Sequence, residues 1–134
     1  MIKKITLGIS LLFSTLMFAS PAYAKWVMYE IKDGVTFHAD FDNIRSSGSY
    51  VYQWQLVDYL EPQAQGMLSF KYYTQGDCEM FRFKKLSLLY HKQPMGEGAP
   101  FMTDSTPDTE WSYPPPNSPA ADVLNIVCKL AENL

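Results

Sequence analysis

The sequence predicts an α+β fold, an antiparallel sheet with one C-terminal helix packed on a face. Three observations carry this. From residue 26 to residue 90 apolar and polar residues alternate in short runs separated by turn residues, the period-2 signature of half-buried strands. Only the stretch from Ser118 to Glu132 has helical periodicity. The strands come first and the helix last, which excludes a parallel sheet built from βαβ units.

The first residues form a targeting segment. Lys3 and Lys4 precede an apolar run from Ile5 to Phe18, and Ala22-Tyr23-Ala24 is a small-x-small cleavage signature. The segment 1–24 is therefore expected to be a signal peptide cut after Ala24. The apolar run is shorter than the ~20 residues that a membrane span needs, so no stable membrane span is expected after cleavage. Residues 25–134 then form one domain of 110 residues, large enough for a thin core. Nine basic and fourteen acidic residues give this part a charge of −5. That balance excludes nucleic acid and a polybasic membrane surface as partners.

In chain order, Trp26–Ile31 and Val35–Asp40 read as strands joined at Lys32-Asp33-Gly34 into a hairpin. Asp42–Arg45 is expected to form one helical turn, and Ser46–Ser49 a loop. Tyr50–Tyr59 is the most strongly patterned strand, with Tyr52, Trp54 and Leu56 on one face and Gln53 and Gln55 on the other. Met67–Thr74 and Met80–Tyr90 are further strands, joined across Gln75-Gly76-Asp77-Cys78. Lys84-Lys85 breaks the alternation, which points to a bulge or a register change there. Gln93–Asp108, with three prolines and two glycines, reads as a long surface loop. Glu110–Tyr113 is a short edge strand, and Pro114-Pro115-Pro116 makes an extended approach to the helix. Ser118 is a suitable N-cap, with Pro119 at the first helical position. Asp122, Asn125, Lys129 and Glu132 occupy an arc roughly 100° wide, leaving an apolar side that requires a surface to lie on.

The two cysteines, Cys78 and Cys128, are expected to pair, as is usual in an exported chain. The alternatives are two free thiols or a metal site. Zinc would need more Cys or His ligands at close spacing, and only His38 and His91 exist. A bond closing a loop of this length contributes roughly 4 kcal/mol in the chain-entropy picture.

Catalytic motifs are absent: there is no Gly-x-Ser-x-Gly, no His-Glu-x-x-His and no phosphate loop. The expectation is a non-enzyme with no catalytic residues, no cofactor and no metal. Asp40 and Asp42 fit a turn with an Asx cap better than an acid pair. His38 is expected on the solvated side of its strand, and Met95 with its flanking glycines in a hairpin contact. Aromatic residues are the one compositional excess, 17 of them in residues 25–134. A thin core uses such side chains for burial; the functional alternative turns some of Tyr50, Tyr52, Tyr72 and Tyr73 outward. Lys71, Arg82, Lys84 and Lys85 form the only basic cluster, and together with Tyr72 they are the candidate docking site for an acidic partner.

Several pieces of the chain are similar to the surface-adhesin protein E family of bacterial exported proteins. They are Asp40 with Ile44-Arg45 and Gly48, Trp54-x-Leu56-x-Asp58-Tyr59 with Pro62-Gln63, Asp77-Cys78, Pro94-Met95-Gly96-x-Gly98, Trp111, and Val127-Cys128. They run in the family's order over nearly all of residues 25–134. The resemblance implies a curved antiparallel sheet with the C-terminal helix laid on it and tied by the disulfide Cys78–Cys128. It implies an adhesin-like protein of a Gram-negative bacterium that binds host extracellular-matrix or plasma proteins. The alternative is a periplasmic small-ligand-binding or envelope accessory protein that uses a groove between sheet and helix. A protein partner, either a host matrix or an envelope component, is expected, with a second copy of the chain as a further candidate. Surface-displayed relatives can carry a lipoprotein-type leader. Here no cysteine follows Ala22-Tyr23-Ala24, so the expected location is the periplasm or the cell surface and exterior.

Overall fold

The computed structural model describes residues 24–134; the expected signal peptide lies outside the described residues, save its last position. The strands are β1 (Trp26–Lys32), β2 (Val35–Asp40), β3 (Arg45–Ser47), β4 (Tyr50–Tyr59), β5 (Ser69–Asp77), β6 (Arg82–His91) and β7 (Met102–Asp104). They form one antiparallel sheet in the order β1-β2-β4-β5-β6-β7, with β3 paired to the start of β4. Among the described residues one α-helix, α1 (Pro119–Ala131), follows. This is the expected α+β architecture.

Four elements differ from the sequence reading. Residues 45–47 are a strand and not part of a helical turn, because Asp40 already organises that corner: its carboxylate accepts from Asp42 N (3.3 Å) and Asn43 Nδ2 (2.8 Å). The corner then feeds the chain back beside β4 in extended form. β5 runs on through Gly76 and Asp77, where a turn was expected. The reversal comes instead at Cys78–Phe81, where Asp77 Oδ1 accepts from the N–H groups of Glu79 and Met80 (3.1 and 3.2 Å). The stretch read as a loop contains β7, paired with Leu88–Tyr90. Residues 110–113 contribute one bridge, Ser112 to Phe83, where a short strand was expected. The bulge expected near Lys84-Lys85 falls at Leu86, since Thr74 pairs with Lys85 while Tyr73 pairs with Ser87.

Register places β4 residues alternately on two faces. Val51, Gln53, Gln55 and Val57 lie on the face that α1 covers. There Ala39 and Val51 pack with Val123, Leu124 and Val127, and Tyr29, Phe41, Ile44 and Phe81 close the margin. The helix begins as its sequence dictates, with Ser118 Oγ accepting from Ala121 N at 3.1 Å. Its approach is close because β5 presents Gly76: a Cβ there would lie 2.7 Å from Leu124 Cδ1 and 2.9 Å from Val51 Cγ2. Cys128 is bonded to Cys78 (Cα–Cα 5.7 Å), which joins the C-terminal half of α1 to the β5–β6 turn. The expected disulfide is thus present.

Candidate functional site

The helix-free face carries a row of aromatic rings. On β4 and β5, Tyr73 lies between Trp54 (centroids 5.1 Å apart) and Tyr52 (6.3 Å). Gln75 Nε2 donates to Tyr52 OH at 3.1 Å and holds that ring in place. Further along, Tyr50 stacks on Trp111 at 5.8 Å. Arg82 and Lys84 lie over the same indole, at 4.4 and 4.6 Å from its centroid. The Ser112–Phe83 bridge pins Trp111 against the sheet. A hollow of about 580 Å³ opens beside Trp54 and Tyr73, bounded by Asp42 to Arg45.

Arg82 is held in place. Its Nε donates to Asp77 Oδ2 at 2.9 Å and its Nη1 to Tyr113 OH at 3.4 Å. Burial opposes the charge on Asp77, but the Arg82 guanidinium and the N–H groups of Met80 and Glu79 outweigh it and hold the carboxyl below its ordinary range. Asp77 is 3% exposed. This pair therefore fixes the reversal after β5 and, through Arg82, the place of Trp111.

The other end of the same face is covered. The turn Pro94–Gly96 lies across β4 and β5, with Met95 N donating to Asp58 Oδ1 (2.7 Å) and Gly96 N to Ser69 Oγ (2.8 Å). Beneath it, Leu56 and the stem of Lys71 touch Gly96. Burial lowers the pKa of Lys71 from its ordinary value. His91 is fully buried there; Nδ1 is 3.3 Å from Glu97 O, and Nε2 has no hydrogen-bond partner among the described residues. Burial, and then the Lys71 charge, lowers its pKa. His38, expected in solvent, is 7% exposed and bonded to Thr36 Oγ1 at 2.9 Å.

The residues of the expected basic cluster do not share one surface. Arg82, Lys84 and Lys71 are on the helix-free face, Lys71 partly beneath the Pro94–Gly96 turn. Lys85 and Tyr72 are on the opposite face, with the Lys85 ammonium 6.0 Å from the Tyr72 ring centroid. Plain strand alternation produces this split: Lys84 and Lys85, like Lys71 and Tyr72, are neighbours in sequence and so point to opposite faces. Sequence reasoning missed Trp111 as the meeting point of Tyr50, Arg82 and Lys84, because nothing local announces a contact across an edge.

Lys85 and Tyr72 belong instead to a groove of about 380 Å³ between the sheet and the N-terminal half of α1. Its floor carries a chain of hydrogen bonds. The Tyr72 and Tyr29 hydroxyls donate to Gln55 Oε1 (2.7 and 3.4 Å), Gln55 Nε2 to Thr74 Oγ1 (3.2 Å), and Thr74 Oγ1 to Gln53 Oε1 (3.1 Å). Burial pushes both tyrosine pKa values up, so both remain neutral donors. Among the described residues no three or more His, Cys, Asp or Glu gather as a metal site, and no described helix is long and apolar enough to cross a membrane.

These features define a disulfide-pinned sheet-and-helix domain with an open aromatic, cationic face. The comparisons with known proteins narrow that class. The model of the family described as surface-adhesin protein E matches residues 26–129, and the chain belongs to this family. The fold is also that of Haemophilus influenzae protein E. One structure of it superposes with a TM-score of 0.55 at 14% identity, over 78% of this chain and 91% of that one. A second crystal form gives 0.54 at 14% identity, over 75% and 91%. Protein E from a non-typeable strain gives 0.52 at 13% identity, over 81% and 80%. No curated protein matches the sequence significantly. Family membership makes the protein adhesin-like, a binder in kind, and surface-exposed or exported.

Proposed function

We propose that the protein is exported after cleavage behind Ala24 and that residues 25–134 recognise a protein of the host matrix or plasma through the helix-free face. The observation that carries this reading is the Trp111 station, where Tyr50, Arg82 and Lys84 converge on one half-buried indole. Trp, Tyr and Arg dominate binding energy at protein interfaces, because they combine apolar area with a polar tip and lose little freedom on binding. Trp54, Tyr52 and Tyr73 continue the same surface. The helix is the poorer candidate, since its apolar side is already occupied by the core and its exposed arc mixes Asp122, Lys129 and Glu132. An envelope protein as partner would use the same surface.

The test is surface-plasmon binding to a panel of extracellular-matrix and plasma proteins. Trp111→Ala is expected to weaken the strongest interaction about tenfold or more, the scale of a central interface residue. Lys84→Glu is expected to slow association, more at low salt than at high. Lys129→Glu on α1 serves as the control and is expected to change little. Loss of binding in folded Lys129→Glu, with Trp111→Ala and Lys84→Glu silent, places the interface on the helix side and overturns the proposal.

A further inference from the structure

The groove under the N-terminal half of α1 has no part in the surface proposed above, and it has the features of a second site. We propose that it binds a small amphipathic carboxylate of the fatty-acid class, with the carboxylate at Gln53 and Lys85 and the hydrocarbon chain along the aromatic floor.

Polar recognition starts from a row across three strands. Gln53, Thr74 and Lys85 are register partners on β4, β5 and β6 and line the groove together. The hydrogen bonds of the floor run in one direction, from the tyrosines through Gln55 and Thr74 to the oxygen of Gln53. That order leaves the Gln53 amide nitrogen as a donor with no hydrogen bond among the described residues, on a side chain 3% exposed that lines the cavity. That nitrogen is free to donate into the groove, and an incoming carboxylate or carbonyl oxygen is a suitable acceptor for it.

Charge specifies which oxygen. Lys85 stands at one rim and Lys32 at another, neither in an ion pair among the described residues, and no acidic side chain lines the groove. The carboxylate nearest in contact, Asp108, is engaged by the Lys85 backbone N–H at 2.9 Å. On a chain whose residues 25–134 sum to −5, a wholly basic rim is a local departure that favours an anion. The first turn of α1, with Pro119 and Ala120 on the wall, adds the positive end of the helix dipole.

Shape specifies the rest of the ligand. Beyond the Gln53–Thr74–Lys85 row the floor becomes Phe70, Val57 and Phe37, while Ala120, Val123 and Leu124 line the groove from the helix side. The volume lies within the range of small-molecule sites. A bare anion would leave these walls wet, and a bare hydrocarbon would leave Gln53 unpaired. A molecule with one carboxylate and an alkyl chain satisfies both.

Calorimetric titration of the oxidised chain, residues 25–134, with laurate, dodecanol and dodecylamine below their micelle concentrations tests this. Laurate is expected to bind, dodecanol about tenfold more weakly, and dodecylamine not measurably. Lys85→Glu is expected to reverse the preference between laurate and dodecylamine. Ala120→Trp, which fills the groove from the helix side, is expected to abolish laurate binding while circular dichroism and the disulfide remain unchanged. No laurate binding, equal binding of all three ligands, or laurate binding that survives both substitutions overturns the proposal. The readout uses no protein partner, so its failure and that of the adhesin reading are separate.

Discussion

His91 is the residue whose environment is least comfortable. It is fully buried, half hydrogen-bonded and close to Lys71, and its neutral form is the one the structure suits. The folded pKa lies below the ordinary value of 6.5, so between those two values the unfolded chain binds more protons than the folded one. Stability therefore falls as pH drops below about 6.5 and levels off once the folded state also protonates. His38, lowered by burial against the opposing pull of Asp58, acts in the same direction. Melting temperature is expected to fall between pH 7.5 and pH 5.5, and His91→Gln, which keeps a donor for Glu97 O without titrating, to flatten most of that fall. An unchanged slope in His91→Gln would assign the effect elsewhere. None of this was legible in the sequence. His38 reads as solvated and His91 lies just past the expected strand Met80–Tyr90, whereas in the fold His91 is buried with its Nδ1 against Glu97 O, just after the turn Pro94–Gly96. The glutamines of β4 misled in the same way: alternation correctly put Gln53 and Gln55 on one face, but that polar face is the one the helix covers.

At the level of elements, the helix was readable nearly to the residue, because Ser118, Pro119 and the apolar side are local signals. The β5–β6 connection was not. Gly76 next to Asp77 has the composition of a turn, yet Gly76 is a strand residue whose missing side chain admits Leu124 and Val51. Tertiary approach, not backbone conformation, requires glycine there. Gly76→Ala is expected to destabilise the protein by about 1–3 kcal/mol, the usual cost of overpacking. Urea unfolding would measure it, and a change within error would mean that the helix can shift at no cost. The pieces that carry the family resemblance turn out to meet in space as fastenings. Asp58 from one piece holds Met95 from another, Leu56 touches Gly96, and Cys78 is bonded to Cys128.

For the whole molecule, strand sequence and a terminal helix sufficed to give the architecture, since an antiparallel meander has neighbours in chain order. The allocation of side chains to its two surfaces was only half readable. Plain alternation puts Lys84 and Lys85 on opposite surfaces, but no local pattern tells which surface a helix arriving from the far end will choose. The position of the disulfide has a mechanical consequence. The bond clamps α1 at Cys128, while the groove lies under Ser118 to Leu124, where a cap and packing alone hold the helix. With its only covalent anchor at the cysteine, the helix is expected to move most at the end over the groove. Amide hydrogen exchange is expected to be faster at Asp122–Leu124 than at Val127–Lys129, and reduction of the bond to erase that gradient; the reverse order would move the anchored end to the helix N-terminus. A ligand of the groove is then expected to enter beside the unclamped end of the helix, with no separate gate.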